Sequence, residues 1–241
     1  MIYAKAFFDL QFQFARKVAA LSGMSLARTA LEYTNLYIRF GLGRDFDPAQ
    51  PIWREYVVGL QAADDPGEWT YRFYMTRGTA TPPPGVVATR GCFSYARPSG
   101  DVIRLHFQNA EVAGHSPLGR DRAGQRMADL SALFRHVKRT QDPPLRVMGV
   151  SWLYNLDAYR RLFPPSYIAS ARVAEPPRFR HMPLWGQFLD RRGQVRTSPA
   201  RQFLERLERQ SSLDGLGECF PFPVLGLEAS AQEFYDFYGI T

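Results

Sequence analysis

The sequence predicts an α+β protein in which a helical N-terminal region packs on a mixed β-sheet with flanking helices. Three observations support this class. Apolar residues recur at helical spacing over residues 4–63, alternating or continuous apolar runs begin after residue 85, and strand and helix patterns alternate from there onward. A Pro-rich stretch at 79–85 separates the two patterns. We therefore expect a helical region at 1–78 and an α+β domain at 86–241.

The N-terminal helices are predicted from apolar spacing and from helix-start residues. Phe7 and Phe14 lie on one face of a first helix, Ser25 can cap a second helix, and Pro51 suits the first turn of a third. Aromatic residues at 69–75 fit either a strand or a helix. Amphipathic helices of this kind need a partner surface on which to bury their apolar faces.

The C-terminal part reads as strands and helices in alternation, with turn residues between them. The predicted elements are strands at 86–95 and 102–108, a helix at 120–139, a buried strand at 145–150, a helix over 156–163, strands at 178–182 and 184–189, a helix from 198, a strand at 221–227 and a helix at 229–238.

Composition excludes several classes of protein. Of the 241 residues, 45% are hydrophobic and 14% aromatic, which is enough for a sizeable core and argues against general disorder. No apolar run approaches the ~20 residues that span a bilayer, and the N-terminus does not read as a signal peptide. Cys92 and Cys219 are the only cysteines, so no disulfide framework is expected and a cytoplasmic location is the simpler expectation.

The positive charge is concentrated in the middle of the chain. Residues 1–103 carry a net charge of +2, residues 104–209 carry +10 and residues 210–241 carry −5, and 27 of the 30 basic residues are Arg. A basic region of this kind attracts the phosphates of a nucleotide, of CoA or of nucleic acid. The alternative is that the arginines cover solvated helix faces and that the acidic tail folds back on them.

The strongest indication of a ligand site follows the predicted strand at 145–150. Such a strand-to-helix junction is where α/β sheets often bind ligands. Polar and aromatic residues at this junction and farther along the chain are candidates to line a substrate pocket, although aromatic residues at such spacing are also common in cores. These predicted substrate-binding residues are Asn109, Ser151, Trp152, Asn155, Trp185 and Gln187.

The opposite side of the predicted cleft follows the strand at 102–108. His106 on this strand is a candidate general base, with His115 in the next loop as the less rigidly held alternative. Ser116 and the basic residues at the start of the next helix would bind the anionic part of a cofactor, because helix N-termini favour phosphate. The predicted cofactor-binding residues are Ser116, Arg120, Arg122 and Arg126. A solvated, basic first turn is the alternative.

Other chemistry is less well supported. Cys92 could be a nucleophile, but a buried structural cysteine is the simpler interpretation. His181 has no acidic or cysteine partner at metal-ligand spacing, so no metal is expected. The sequence contains no G-x-S-x-G elbow, Walker loop or dinucleotide fingerprint.

Several short segments together resemble one family. Leu31–Gly41 followed by Pro51-Ile-Trp53 resembles the helical N-terminal region of proteins of an N-acyltransferase type. Leu105-His-Phe107, Ser116-Pro-Leu118 and Ser151-Trp-Leu153 resemble markers of the GNAT-like C-terminal domain of those proteins. The resemblance covers most of the chain in order, through short motifs.

The resemblance implies a GNAT-like sheet, an acyl-CoA donor, and Tyr154 or Tyr159 as the acid that protonates the leaving thiolate. One departure concerns the pyrophosphate loop. Acetyltransferases of this fold carry a Q/R-x-x-G-x-G/A loop at the start of the central helix, and Arg120-Asp-Arg-Ala-Gly-Gln125 does not fit that spacing.

Three functions follow from these observations. The first is an acyl-CoA-dependent N-acyltransferase or a degenerate relative. The second is a non-catalytic ligand- or protein-binding protein that uses the same cleft, favoured by the lack of a convincing base. The third, nucleic-acid binding through 104–209, is less favoured because the arginines are dispersed and no recognition motif is present. The oligomeric state is left open.

Overall fold

The computed structural model describes residues 2–43, 46–77, 85–111, 116–141, 145–175, 177 and 179–241. Their helices and mixed sheet confirm the α+β class. The chain divides into two compact units, each built from two stretches of sequence. Unit 1 consists of Met1–Pro82 and Pro176–Pro221, and unit 2 of Pro83–Glu175 and Phe222–Thr241. Apart from Gly85, the predicted Pro-rich connection at 79–85 lies outside the described residues.

Unit 1 is helical. The described helices of its first stretch are α1 (Lys5–Ser22), α2 (Leu26–Tyr33), α3 (Leu36–Arg39), α4 (Pro51–Ala62) and α5 (Pro66–Arg77). The described helices and strands of unit 2 and of the second stretch of unit 1 are β1 (Val86–Arg90), β2 (Phe93–Ser99), β3 (Val102–Phe107), α6 (Ala123–Thr140), β4 (Arg146–Ser151), α7 (Asp157–Arg160), α8 (Pro165–Ala169), β5 (Arg172–Val173), α9 (Met182–Trp185), α10 (Thr197–Glu208), β6 (Leu225–Ser230) and α11 (Ala231–Phe237).

The helix-start residues of unit 1 act as the sequence predicts. The Ser25 side chain accepts a hydrogen bond from the Arg28 backbone at the start of α2, and Pro51 is in the first turn of α4. The ambiguous stretch 69–75 is helical, within α5, and the Trp69 indole donates to the Tyr56 carbonyl at 3.0 Å. A partner for that indole nitrogen is what a largely buried tryptophan requires.

Aromatic residues from distant parts of the sequence build the core of unit 1. Phe14 on α1 contacts Trp185, Phe203 and Phe220, with ring centroids 5.4–5.8 Å apart. These three partners come from the second stretch of unit 1, which explains why 176–221 belongs with the N-terminal helices. The predicted 86–241 domain is therefore interrupted by a segment of unit 1.

The strands predicted at 178–182 and 184–189 are wrong. Residues 182–185 form α9 and residues 186–188 a 3₁₀ turn, and a single bridge joins Leu189 to Val195. Trp185 and Phe188 are both fully buried against the same aromatic cluster. A helical turn places both rings on one surface, and this tertiary contact overrides the β-propensity of the aromatic residues.

Unit 2 is built on a six-stranded mixed sheet in the order β1-β2-β3-β4-β6-β5. β3 and β4 are parallel, and every other neighbouring pair is antiparallel. α6 makes the crossover between the two parallel strands, as a parallel pair requires. The predicted strand at 86–95 is two strands, because Gly91 has φ +51° and turns the chain between them.

One face of this sheet forms the core of unit 2. Side chains alternate along a strand, so Tyr95, Leu105 and Val147 share this face. α6 and α11 contribute to the same core, with Phe134 stacked on Phe234 at 4.5 Å. The late strand and final helix are confirmed at slightly shifted positions, β6 and α11.

Candidate functional site

The parallel pair β3–β4 opens at its carboxyl end. Its register stops at Leu105–Gly149, although β3 continues to Phe107 and β4 to Ser151. The last residues of β3 still pair with β2, and those of β4 still pair with β6. The ladder between β3 and β4 therefore ends two residues before either strand does, and we call this place the open end of the pair.

A tight turn leads into α6. A 3₁₀ turn at Arg120–Arg122 precedes the helix, and Arg120 is exposed. Arg122 lies 3.6 Å from Asp121. The Arg161 guanidinium, at the end of α7, donates to the carbonyls of Leu118 and Gly119 at 3.3 and 3.5 Å. Arg161 thus ties this turn to the segment that follows β4.

Arg126 is buried rather than open to a ligand. Its guanidinium lies 2.7 Å from Glu111 and 3.3 Å from Asp129, and it donates to the Cys92 thiol. Its side chain is only 5% exposed. Gln125 donates to the second oxygen of Asp129 at 2.9 Å. We call Cys92, Glu111, Arg126 and Asp129 the arginine cluster.

The arginine cluster connects three parts of unit 2. Cys92 belongs to the turn between β1 and β2, Glu111 follows β3, and both contact Arg126 in the second turn of α6. Asp129 fits closely against Gly91, where any Cβ would overlap its carboxylate. The cluster therefore fixes the position of α6 against the ends of β1, β2 and β3.

A second buried polar group lies beside β4. The hydroxyls of Tyr154 and Tyr167 are 2.8 Å apart, and the Tyr159 ring packs against the Tyr154 ring with centroids 5.0 Å apart. A Cβ on Gly149 would overlap both the Tyr154 and the Tyr167 hydroxyl, so the glycine makes room for them. We call Tyr154, Tyr159 and Tyr167 the tyrosine cluster.

Burial keeps the tyrosine cluster protonated. It raises the pKa of all three phenols well above the usual value of a tyrosine, the neighbouring Tyr167 raises the pKa of Tyr154 further, and the neighbouring Tyr154 raises the pKa of Tyr159. Tyr154 and Tyr159, the predicted general acids, are at most 3% exposed. The Tyr154 hydroxyl is already hydrogen-bonded to Tyr167 inside the core.

The junction after β4 contains polar residues that were predicted to bind substrate. The side chains of Ser151 and Asn155 form hydrogen bonds with backbone groups. The Ser151 hydroxyl caps the 3₁₀ turn at Trp152–Asn155 by accepting from the Leu153 backbone at 3.1 Å. The Asn155 amide donates to the carbonyls of Trp152 and Pro223 at 2.7 and 2.9 Å. Trp152 itself stacks on Phe222 at 5.9 Å.

Three of the predicted residues on the β3 side, His106, Asn109 and Ser116, are among the described residues. His106 is between Leu105 and Phe107, which face the core, so its side chain lies on the opposite face of the sheet. The Asn109 side chain accepts from the Glu111 backbone at 3.1 Å and shapes the turn after β3. Ser116 is exposed, and His115 lies outside the described residues.

Trp185 and Gln187 belong to unit 1. The Trp185 indole donates to the Phe179 carbonyl at 2.7 Å, and the Gln187 amide donates to the Leu184 carbonyl at 2.9 Å. Both side chains are fully buried, at most 1% exposed. Their polar groups thus have the partners that burial demands.

Sequence reasoning did not identify four residues of this region. Asp129 follows Arg126 by three positions on a helix, which is ion-pair spacing and could have been noticed. Glu111, Arg161 and Tyr167 reach their partners through tertiary contacts that carry no local signal.

Neither a metal-binding group nor a membrane-spanning helix is found among the described residues. No group of three or more His, Cys, Asp or Glu residues in the described ranges could hold a metal ion. No helix in that same part of the chain is both long enough and apolar enough to cross a membrane.

Comparison with known proteins does not assign this chain to a family. No protein-family model, curated protein or solved structure gives a significant match to this chain.

Proposed function

We propose that unit 2 is a GNAT-like domain that binds an acyl-CoA and that the protein is an N-acyltransferase. The observation that carries this proposal is the open end of the one parallel strand pair in the described sheet, at β3 and β4. Beyond Leu105 and Gly149 the two strands are no longer paired with each other, and the turn into α6 follows β3 at the same end of the sheet. A ligand with amide groups of its own can pair with such strand edges.

The pantetheine arm of CoA has this chemistry. Its two amides would pair with the backbone at the ends of β3 and β4, and its thioester would reach into the open end of the pair. The adenosine diphosphate part would lie at the turn before α6, where backbone N–H groups and positive side chains favour phosphate. Arg120 and Arg122 are the basic side chains at that turn.

Arg126 has a different role in the proposal from the one the sequence suggested. Its charge is already balanced by Glu111 and Asp129, so it positions the start of α6 rather than meeting the phosphates. Arg161 supports the same turn from the other side.

In the reaction, an amine acceptor would attack the thioester carbonyl, the C–S bond would break, and the leaving thiolate would take a proton. Tyr154 and Tyr159 are protonated at neutral pH and sit beside β4. Proton donation from either hydroxyl would require it to leave the tyrosine cluster. This favours a second candidate function, an acyl-CoA-binding protein without transfer activity.

Calorimetric titration of the full chain with acetyl-CoA, CoA and adenosine separates these possibilities. We expect acetyl-CoA and CoA to bind and adenosine to bind at least tenfold more weakly, since it lacks the phosphates and the arm. Release of free thiol in the presence of an amine panel then distinguishes a transferase from a binding protein. Absence of binding by CoA and by any acyl-CoA would contradict both.

A matched pair of variants tests where the phosphates lie. Arg120→Ala/Arg122→Ala should weaken CoA binding about five- to tenfold, as expected for exposed charge contacts. Arg135→Ala/Arg139→Ala removes the same charge near the other end of α6 and should leave affinity unchanged. Equal losses in both variants would indicate general electrostatic attraction and contradict this site.

A further inference from the structure

Unit 1 contains a pocket of about 570 Å³ that is independent of the proposed acyl-CoA site. Its walls come from the end of α2, from the segment before α9 and from the turn that follows α10. This volume is within the range of small-molecule sites.

An aromatic pair forms one wall of the pocket. Tyr33 and Phe179 are stacked, with ring centroids 5.5 Å apart and planes inclined by 24°. Both residues are only partly buried, so part of each ring faces the pocket. A flat or apolar side chain of a ligand would pack against such a surface.

Arg180 supplies a positive charge that is held in place but not neutralised. Its guanidinium lies 4.6 Å from the centre of the Tyr37 ring, a cation–π contact. Its buried Nε has no hydrogen-bond partner, and no carboxylate in the described ranges forms an ion pair with it. A fixed, unpaired guanidinium is suited to bidentate binding of a carboxylate.

Two carboxylates line the pocket, and only one of them forms an ion pair within the described residues. Glu32 is paired with Arg28 at 2.9 Å, so its charge is balanced. Asp214 has no ion pair or hydrogen bond to its side chain within the described part of the chain. The pocket therefore offers one unpaired cation and one unpaired anion, a combination that disfavours a doubly charged phosphate and suits a zwitterion.

We infer that this pocket binds a free amino acid with an aromatic side chain. The α-carboxylate pairs with Arg180, the ammonium group pairs with Asp214, and the ring packs on Tyr33 and Phe179. The inference does not rest on the proposed acyl transfer, and it assigns a ligand to unit 1 alone.

Calorimetric titration with L-phenylalanine and three analogues tests each contact separately. N-acetyl-L-phenylalanine lacks the ammonium charge, L-phenylalaninamide lacks the carboxylate and L-alanine lacks the ring. We expect L-phenylalanine to bind and each analogue to bind at least tenfold more weakly, because each loses one charged or stacking contact. Binding of the N-acetyl compound as tight as that of L-phenylalanine would overturn the zwitterion assignment.

Variants locate the site on the protein. Arg180→Met keeps an apolar stem over Tyr37 and should lower the affinity for L-phenylalanine roughly 10- to 100-fold. Asp214→Asn is an exposed, nearly isosteric change and should lower it about tenfold. Arg201→Met and Glu205→Gln, on the exposed face of α10, are the charge-matched controls and should leave it unchanged. No binding of L-phenylalanine by the native chain, or equal affinities in the pocket variants and the controls, would overturn the inference.

Discussion

The two buried polar clusters of unit 2 satisfy their polar groups in different ways. The tyrosine cluster is neutral, and two of its hydroxyls, those of Tyr154 and Tyr167, hydrogen-bond to each other within the core. The arginine cluster is charged, with one guanidinium shared between two carboxylates and a thiol. Both lie near the carboxyl ends of the sheet's parallel strands, but the consequences of removing one member are unequal.

Electrostatics explains the inequality. A buried hydroxyl that loses one partner remains a neutral dipole, and the loss is modest. A buried carboxylate that loses its guanidinium is an uncompensated charge in a medium of low dielectric constant, which is far more costly. A single substitution in the arginine cluster should therefore cost more free energy of unfolding than a single substitution in the tyrosine cluster.

The largest expected effect is that of Arg126→Met. The change leaves Glu111 and Asp129 largely buried without their cation, so we expect a loss of about 3–5 kcal/mol in the free energy of unfolding. Urea denaturation at neutral pH measures it. Arg139→Met, on the exposed side of the same helix, is the control and should change stability by less than about 0.5 kcal/mol.

Removing the charges of Glu111 and Asp129 as well tests whether electrostatics causes this loss of stability. Combining Arg126→Met with Glu111→Gln and Asp129→Asn should recover much of the loss, because no buried charge remains unpaired. A triple variant as unstable as Arg126→Met alone would show that packing, not charge, dominates in this cluster.

The second effect is alkaline unfolding driven by buried tyrosines. Burial raises the pKa of Tyr154, Tyr159, Tyr167 and Tyr238 in the folded chain above the unfolded value of about 10. Their contribution to stability is complete below pH ~10 and is lost as the pH rises further, because only the unfolded chain then ionises. Above pH ~10, each such tyrosine lowers the free energy of unfolding by about 1.4 kcal/mol for each pH unit.

Tyrosinate absorbance and circular dichroism recorded together test this expectation. The buried tyrosines should ionise in one step that coincides with loss of structure. Ionisation of this group well before any loss of structure would contradict the assignment of a closed tyrosine cluster.

A third effect concerns the space that Gly149 leaves for the tyrosine cluster. Gly149→Ala places a methyl group against the Tyr154 and Tyr167 hydroxyls, and overpacking of this kind costs about 1–3 kcal/mol. Gly226→Ala on the adjacent strand β6 is the matched control, since nothing lies within 4 Å of its added Cβ. We expect the control to be neutral or slightly stabilising in thermal unfolding.

A partial rescue distinguishes overlap with the hydroxyls from backbone strain. Tyr154→Phe removes one overlapping oxygen and should reduce the cost of Gly149→Ala, although the ring carbon that carried it stays close. An unchanged cost would point to the strand backbone instead.

The fold class was predictable because it depends on local periodicity. Phe7 and Phe14 mark the helical spacing of α1, and the apolar run ending at Val150 marks β4. Ser25 and Pro51 mark helix starts for reasons that lie within a few residues of each. Such local patterns can be recognised in the sequence without any knowledge of tertiary contacts.

The division into units was not predictable in the same way. Trp185 and Phe203 join the N-terminal helices through contacts with Phe14, more than 150 residues away in sequence. No local pattern encodes such a contact. For the same reason, helical turns replaced the strands predicted around Trp185.

The open end of the β3–β4 pair lies where the sequence analysis placed a cleft, but the contacts of the residues around it were not predicted. The sequence pointed to the ends of β3 and β4, where the ladder between the two strands stops. Ser151 and Asn155, which suggested ligand contacts, bind the backbone of their own turn and its neighbour. Short polar side chains at helix starts commonly bond to nearby backbone groups, and the sequence does not distinguish this local use from a functional one.

The smallest effect tests the neutral cluster directly. Tyr167→Phe removes the hydrogen-bond partner of the Tyr154 hydroxyl and leaves a buried neutral group behind, so we expect a loss of only about 1–2 kcal/mol. Tyr154→Phe and the double variant complete a thermodynamic cycle measured by urea denaturation. The double change should cost less than the sum of the single changes, by about 0.5 kcal/mol or more, because the shared hydrogen bond is lost only once. Additive losses would mean that the two hydroxyls do not interact. A loss from Tyr167→Phe as large as that from Arg126→Met would remove the distinction between the neutral and the charged cluster.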